Sequence, residues 1–212
     1  MKYLILTITS LVTVSQSQAA TVALTNADFE AGVTHVASGY DAGGADIPGW
    51  MNLSMPGGAT DTGVEGAGAW WGTYLGSFSS FMRVGNSGYL MSSHTIQAGD
   101  EFTIGLVAKT WDAASQFTAT LFFDDPTVPA NVIGTFTSAV NGTWTSYSNS
   151  TAIDATPASV GGTLGIIIAN TFSPHPGFLN FDNVSINVVP EPSAALLGSL
   201  GALALLRRRR TV

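Results

Sequence analysis

The sequence predicts an all-β domain built as an antiparallel sandwich. Apolar residues recur with period two in several separate runs, the pattern of strands with one buried face. Clusters of turn-forming residues separate those runs. The composition agrees, with 24 glycines in 212 residues and only 10% charged residues. That balance disfavours helices and suits short strands joined by turns.

Phe102, Ile104, Leu106 and Ala108 alternate within residues 101–109, and Phe117, Ala119, Leu121 and Phe123 form the next run. Ile133 and Phe136 mark a third, Trp144 and Tyr147 a fourth, and Leu164, Ile166 and Ile168 a fifth. Turn signals lie between them at Gly99-Asp100, Asp124-Asp125-Pro126, Asn141-Gly142, Gly161-Gly162 and Ser173-Pro174. In the final run Leu179 and Phe181 share one parity, whereas Val184, Ile186 and Val188 share the other. A β-bulge near Asp182-Asn183 would produce that phase change; a strand covered on both faces would also allow it. Residues 31–88 are less regular and glycine-rich, and predict long loops with a few short strands. Trp50 and Trp144 are expected in the core.

The two ends read as targeting segments. Lys2 precedes an apolar stretch over residues 3–14, and Ser17 and Ala19 are the small residues that a cut after Ala19 requires. Residues 1–19 are therefore expected to be a secretory signal peptide. At the other end Pro190-Glu191-Pro192 is followed by an apolar segment and then by Arg207, Arg208, Arg209 and Arg210. As a helix the apolar segment of about 13 residues reaches roughly 20 Å, short of a ~30 Å hydrocarbon core. The arginines would act as a membrane stop and hold that end on the cytoplasmic side.

This order closely resembles the PEP-CTERM sorting signal of Gram-negative bacteria, over residues 190–210. The resemblance implies a recognition motif at Pro190, Glu191 and Pro192. It also implies an exosortase-type enzyme as partner and transient anchoring in the inner membrane. Delivery to the cell envelope or the extracellular matrix would follow. The domain itself is expected over residues 20–189.

Of seven Lys and Arg, only Arg83 and Lys109 lie outside the targeting segments, while nearly all fourteen acids remain in the domain. Such a surface cannot neutralise phosphates, which argues against nucleic acid as a partner. The acids could hold a hard cation or serve solubility. Cysteine is absent, which removes thiol catalysis and thiolate metal sites. His35, His94 and His175 have no metal-ligand spacing and are expected at surface or turn positions. Neither His-Glu-x-x-His nor Gly-x-Ser-x-Gly occurs.

A second resemblance spans almost the whole domain. Asn26-Ala27-Asp28-Phe29-Glu30 opens it and Ile47-Pro48-Gly49-Trp50 follows. Thr95-Ile96-Gln97-Ala98-Gly99-Asp100-Glu101-Phe102-Thr103 comes next, and Phe181-Asp182-Asn183-Val184-Ser185-Ile186 closes it. The ordered set is similar to galactose-binding-like jelly-roll domains, including many carbohydrate-binding modules. It implies a structural Ca2+ held by Glu30 and Asp182, with Asn26 and Asp28 as helpers. In an extended segment Asp28 and Glu30 would share one face, with Phe29 buried behind them. Trp70, Trp71 and Tyr74 lie in a Gly-rich stretch and are candidate sugar-stacking rings, since sugar C–H faces pack on flat aromatics. The alternative for them is plain packing.

The functional expectation is a non-catalytic envelope or matrix protein that binds polysaccharide. A purely structural surface protein without a sugar ligand is the alternative. A glycoside hydrolase is a third reading, because two carboxylates suffice for that chemistry.

Overall fold

The computed structural model describes residues 19–31, 49–54, 62–66, 73–111, 115–171 and 177–189. Most of the expected signal peptide, the whole sorting tail, Trp70, Trp71, His35 and His175 lie outside them.

The described residues form two antiparallel sheets, the jelly-roll sandwich that the alternation and the ordered motifs predicted. The strands are β1 (Ala20–Thr21), β2 (Trp50–Ser54), β3 (Thr62–Gly66), β4 (Phe78–Arg83), β5 (Ser87–Thr95) and β6 (Glu101–Thr110). They continue with β7 (Ser115–Phe123), β8 (Val132–Val140), β9 (Thr145–Ser148), β10 (Ile153–Asp154), β11 (Thr163–Asn170) and β12 (Phe178–Val189). One sheet has the order β10-β6-β12-β4-β3, with β1 also on β12 and β9 also on β6. The other runs β2-β5-β11-β7-β8.

The core lies between the sheets. Phe102, Ile104, Leu106, Phe181 and Ile186 of the seven-stranded sheet meet Leu90, Phe117, Leu121, Ile166 and Ile168 of the five-stranded one, all buried. Burial of each such side chain contributes about 1.5–3 kcal/mol, and it is the alternation along the strands that places them together. The expected bulge is present. The pairing of β12 with β6 shifts register between Asp182 and Ser185, and Asn183 takes a left-handed φ of 55°. Asp182 therefore stays on the outer face after Phe181, and Val184 returns to the core.

A buried asparagine joins the sheets. Asn170 on β11 donates from Nδ2 to the carbonyls of Met82, on β4, and Gly177, at 2.9 and 3.0 Å. Its Oδ1 accepts from Ser115 at 3.3 Å. Buried carbonyls at the end of a strand need such a donor.

Three local expectations are corrected. Trp144 is not in the core. It is half-buried on the outer side of the seven-stranded sheet, because it precedes β9 with the parity opposite to Tyr147. The segment holding Asp28 and Glu30 is not extended: Asn26 and Phe29 have φ of 57° and 59°, so it is a turn. Phe29 is nonetheless buried, stacked on Trp50 at 5.1 Å and edge-on to Phe181 at 5.4 Å. His94 is not a free surface residue, since its Nε2 lies 2.8 Å from Oδ2 of the buried Asp100.

Candidate functional site

The outer face of the seven-stranded sheet gathers most of the domain's distinctive chemistry. On β6 the core takes Ile104, Leu106 and Ala108, which leaves Val107 and Lys109 on the other face. Asn180 of β12 stands opposite both Lys109 and Phe81, and Glu65 of β3 stands opposite Ser79 of β4. Arg83, two residues beyond Phe81, has the same parity. Both cations of the domain therefore lie on one face.

Glu65 and Asn180 are buried although neither belongs to the core. Asn180 Nδ2 donates to Glu65 Oε1 at 2.8 Å, and the small Ser79 between their strands leaves room for that contact. Asn180 Oδ1 is buried without a hydrogen-bond partner. Burial pulls the Lys109 ammonium below its ordinary value, and the nearby Glu65 carboxylate acts in the opposite direction. Lys109 Nζ sits 5.0 Å from the centroid of the Trp144 ring, a cation–π arrangement. Tyr74, exposed, leans against the same indole at 5.8 Å and 49°. Trp111, which follows β6, is 60% exposed.

The acids named from the sequence come together beside this face. Glu30 Oε1 accepts from the backbone N–H groups of Ser77 and Phe78 at 2.7 and 2.8 Å. Asp182 is 1% exposed and accepts from Asn183 N at 2.6 Å and Leu75 N at 3.4 Å. Burial pushes its carboxyl up to about 7, and the charges of Glu30 and Asp28 add to the rise against those hydrogen bonds. The two carboxylates thus hold residues 75–78 from two sides, in the segment that carries Tyr74. Gly76 is required there: its φ is +70°, and a Cβ would fall 2.3 Å from Glu30 Oε1. Asn26 serves its own turn, with Oδ1 accepting from Ala31 N at 2.7 Å and its carbonyl accepting from Trp50 Nε1 at 2.9 Å.

Asp182 is buried and feels the charges of Glu30 and Asp28, a charge that a Ca2+ ion would balance. Among the described residues, however, no group of three His, Cys, Asp or Glu side chains is assembled closely enough to hold a metal ion. A Ca2+ ion at Glu30 and Asp182 would need backbone carbonyls to complete its six to eight oxygens.

Of the proposed sugar-stacking rings only Tyr74 is described. Glu65, Asn180, Lys109 and Trp144 were missed as a group. The parity of Lys109 against Leu106 and Ala108 was the one available signal that it leaves the core.

No protein family matches the chain by sequence, and no curated protein does. Solved structures match its fold. A cyclase from Fischerella sp. TAU, in complex with 4-(1H-indol-3-yl)butan-2-one, has a TM-score of 0.60 at 16% identity, over 81% of this chain and 98% of its own. A CBM4 structure matches with a TM-score of 0.51 at 12% identity, over 78% of this chain and 99% of its own. The tandem CBM22 domains of Paenibacillus barcinonensis Xyn10C match with a TM-score of 0.51 at 14% identity, over 79% of this chain and 50% of theirs. At these identities the likeness concerns the fold, which is that of carbohydrate-binding modules and of cyclases alike. The expectation of a non-catalytic protein is corrected accordingly, because enzymes share this sandwich.

Proposed function

We propose that the chain is an exported cell-envelope or matrix protein that binds polysaccharide on the outer face of its seven-stranded sheet. The observation that carries this reading is the pair of rings Tyr74 and Trp144, with the Lys109 ammonium over the indole. Flat rings offer stacking surface to sugar C–H faces, and the adjacent charged and amide groups can pair with hydroxyls. The fold shared with CBM4 and CBM22 domains supports the reading without establishing it.

Export would depend on the signal peptide, and sorting on Pro190, Glu191 and Pro192 with the arginine stop, read by an exosortase-type enzyme. A structural Ca2+ at Glu30 and Asp182, with Asp28 beside them, would offset the burial that raises Asp182 and the lesser repulsion from the other two acids. Asn26 is a weaker helper, since its side-chain oxygen already closes a turn.

Pull-down of the purified protein on soluble and insoluble polysaccharides tests the binding reading. Retention should fall several-fold in Tyr74→Ala and Trp144→Ala, in line with the roughly 0.5–1.5 kcal/mol of a ring contact. Retention of neither the wild type nor the variants on any polysaccharide would refute it. Replacing Glu191 in the producing cell tests sorting: an unchanged location and unchanged mass of the protein would remove the tail from the proposal.

A further inference from the structure

We infer that β8, at the edge of the five-stranded sheet, is an interface for a second copy of this chain, joined strand to strand as an antiparallel two-fold pair. The inference goes beyond sugar binding and does not depend on it. The other outermost strands among the described residues are short: β2 and β3 have five residues each, β9 four, and β1 and β10 two each. β8 runs for nine, over Val132–Val140, and pairs on one side only, with β7. Long edges are usually blunted by lysine, proline or an inward charge, because their free N–H and C=O groups recruit other strands. β8 reads Val-Ile-Gly-Thr-Phe-Thr-Ser-Ala-Val and carries none of these. The register shift in its ladder lies at its first residues, opposite Leu121 and Phe122, and leaves residues 134–140 regular.

The backbone groups on the open side follow from the ladder on the other. Thr171 N donates to the carbonyl of Gln116, and Asp124 N to that of Thr163, in each case the residue directly opposite. Even-numbered residues of β7 therefore turn their backbone toward β11, and odd-numbered ones toward β8. Phe117 and Ala119 stand opposite Ser138 and Phe136, so these two bond back to β7. Thr135, Thr137 and Ala139 point their N–H and C=O groups the other way, and all three are exposed. Ser138 Oγ donates to the Ala139 carbonyl at 3.1 Å. Among the described residues nothing bonds to the outward N–H and C=O groups of Thr135 and Thr137.

Charge identifies the occupant as a copy of the same chain. The protein has a formal net charge of -7, yet from Pro126 to Ile153 it carries no charged residue. Two copies that repel elsewhere can meet along this edge without opposing like charges. Asp124 and Asp125 precede β8. Antiparallel pairing sets those acids at opposite ends of a strand roughly 30 Å long, well beyond the ~8 Å screening length. Parallel pairing would set them side by side. A two-fold centred on Phe136 also places Thr135 opposite the partner's Thr137, and Thr137 opposite the partner's Thr135. Such threonine pairs are favourable across strands, and Thr118 and Thr137 already make one between β7 and β8 at 3.0 Å. The half-buried Phe136, edge-on to Phe117 at 5.4 Å, would meet its own counterpart. A strand from another protein would find the same backbone groups but not these matched side chains.

Sedimentation velocity of the full chain, from about 1 to about 200 µM, tests the inference together with amide hydrogen exchange resolved by residue. An interface of one strand pair is small, so a reversible dimer should form only at micromolar concentrations and above. The amides of Thr135 and Thr137 should exchange several-fold more slowly as the dimer fills. Thr135→Lys with Thr137→Lys places lysine opposite lysine across the two-fold and should weaken the dimer about tenfold or more. Both side chains are exposed, so the melting temperature of the monomer should stay close to wild type. Thr137→Pro is the second variant. It removes an outward N–H that the β7 ladder does not use, and should weaken the dimer by a similar factor.

A wild type that stays monomeric throughout would overturn the inference. So would a dimer of unchanged affinity in both variants, since that association would use another surface. A monomeric chain whose Thr135 and Thr137 amides slow only when lysate of the producing cell is added would assign the edge to another protein's strand, and would overturn self-pairing. None of these outcomes bears on retention by polysaccharide, which tests the sugar-binding reading separately.

Discussion

Replacing Asp182 by Asn should stabilise the domain at neutral and alkaline pH but not in acid. The carboxyl is raised from 3.8 to about 7, mainly by burial, with the charges of Glu30 and Asp28 adding to it. Between those values the folded protein holds a proton that the unfolded chain has released. Stability therefore falls as pH rises from about 4 to about 7, and the penalty is complete above that window. That rise from 3.8 to about 7 corresponds to an upper bound of about 4 kcal/mol. Solvent reorganisation around a site at the sheet surface reduces this to about 2 kcal/mol.

Asn keeps an oxygen for the 2.6 Å bond from Asn183 N and gives up only the long 3.4 Å contact from Leu75 N. For a domain of this size, about 2 kcal/mol is roughly 4–8 °C in melting temperature. Thermal unfolding followed by circular dichroism in EDTA should show Asp182→Asn melting higher by that amount at about pH 8. The gap should close near pH 4. A gap that stays constant across the range, or a wild type that melts higher at alkaline pH, would refute the reasoning.

Millimolar calcium should raise the wild-type melting temperature above pH 7 and flatten its pH dependence, with no such effect in Asp182→Asn; an unchanged profile would rule out the cation at this site. Glu30→Ala should cost about 1–2 kcal/mol in urea unfolding, because two short bonds to Ser77 and Phe78 are lost at a partly solvated position. It should also weaken sugar retention by freeing the segment that carries Tyr74. Asn170→Leu should cost about 3 kcal/mol or more, since the carbonyls of Met82 and Gly177 lose their shared donor between the sheets. Gly165→Ala should destabilise by about 1–3 kcal/mol, because a Cβ there would lie 2.3 Å from the Phe122 ring.

The strands most legible in the sequence are those with one strictly buried face. In β6, β7, β11 and the two halves of β12, alternation alone places Phe102, Leu121, Ile166 and Ile186 in the core, and the parity change marks the bulge. The first half is harder because β2 and β3 are short and their cross-strand partners lie far along the chain. Trp144 was misplaced because a large aromatic beside a strand is equally consistent with either face, and only the register of β9 on β6 decides. Asp28, Glu30 and Asp182 were legible as acids that share a neighbourhood, yet the turn that aims Glu30 at Ser77 and Phe78 depends on positive φ at Asn26 and Phe29. The Glu65–Asn180 pair is separated by 115 residues and reaches across an intervening strand. No periodicity can reveal such a contact.

β12 has a mechanical consequence. It is an interior strand, bonded to β6, β4 and β1, and Val189 at its end is still paired with Glu101. A pull on the chain beyond that residue would run along the strand axis, at right angles to the ladder hydrogen bonds. Those bonds would bear the load together in shear instead of parting one by one. The domain thus resists traction applied from its C-terminal side.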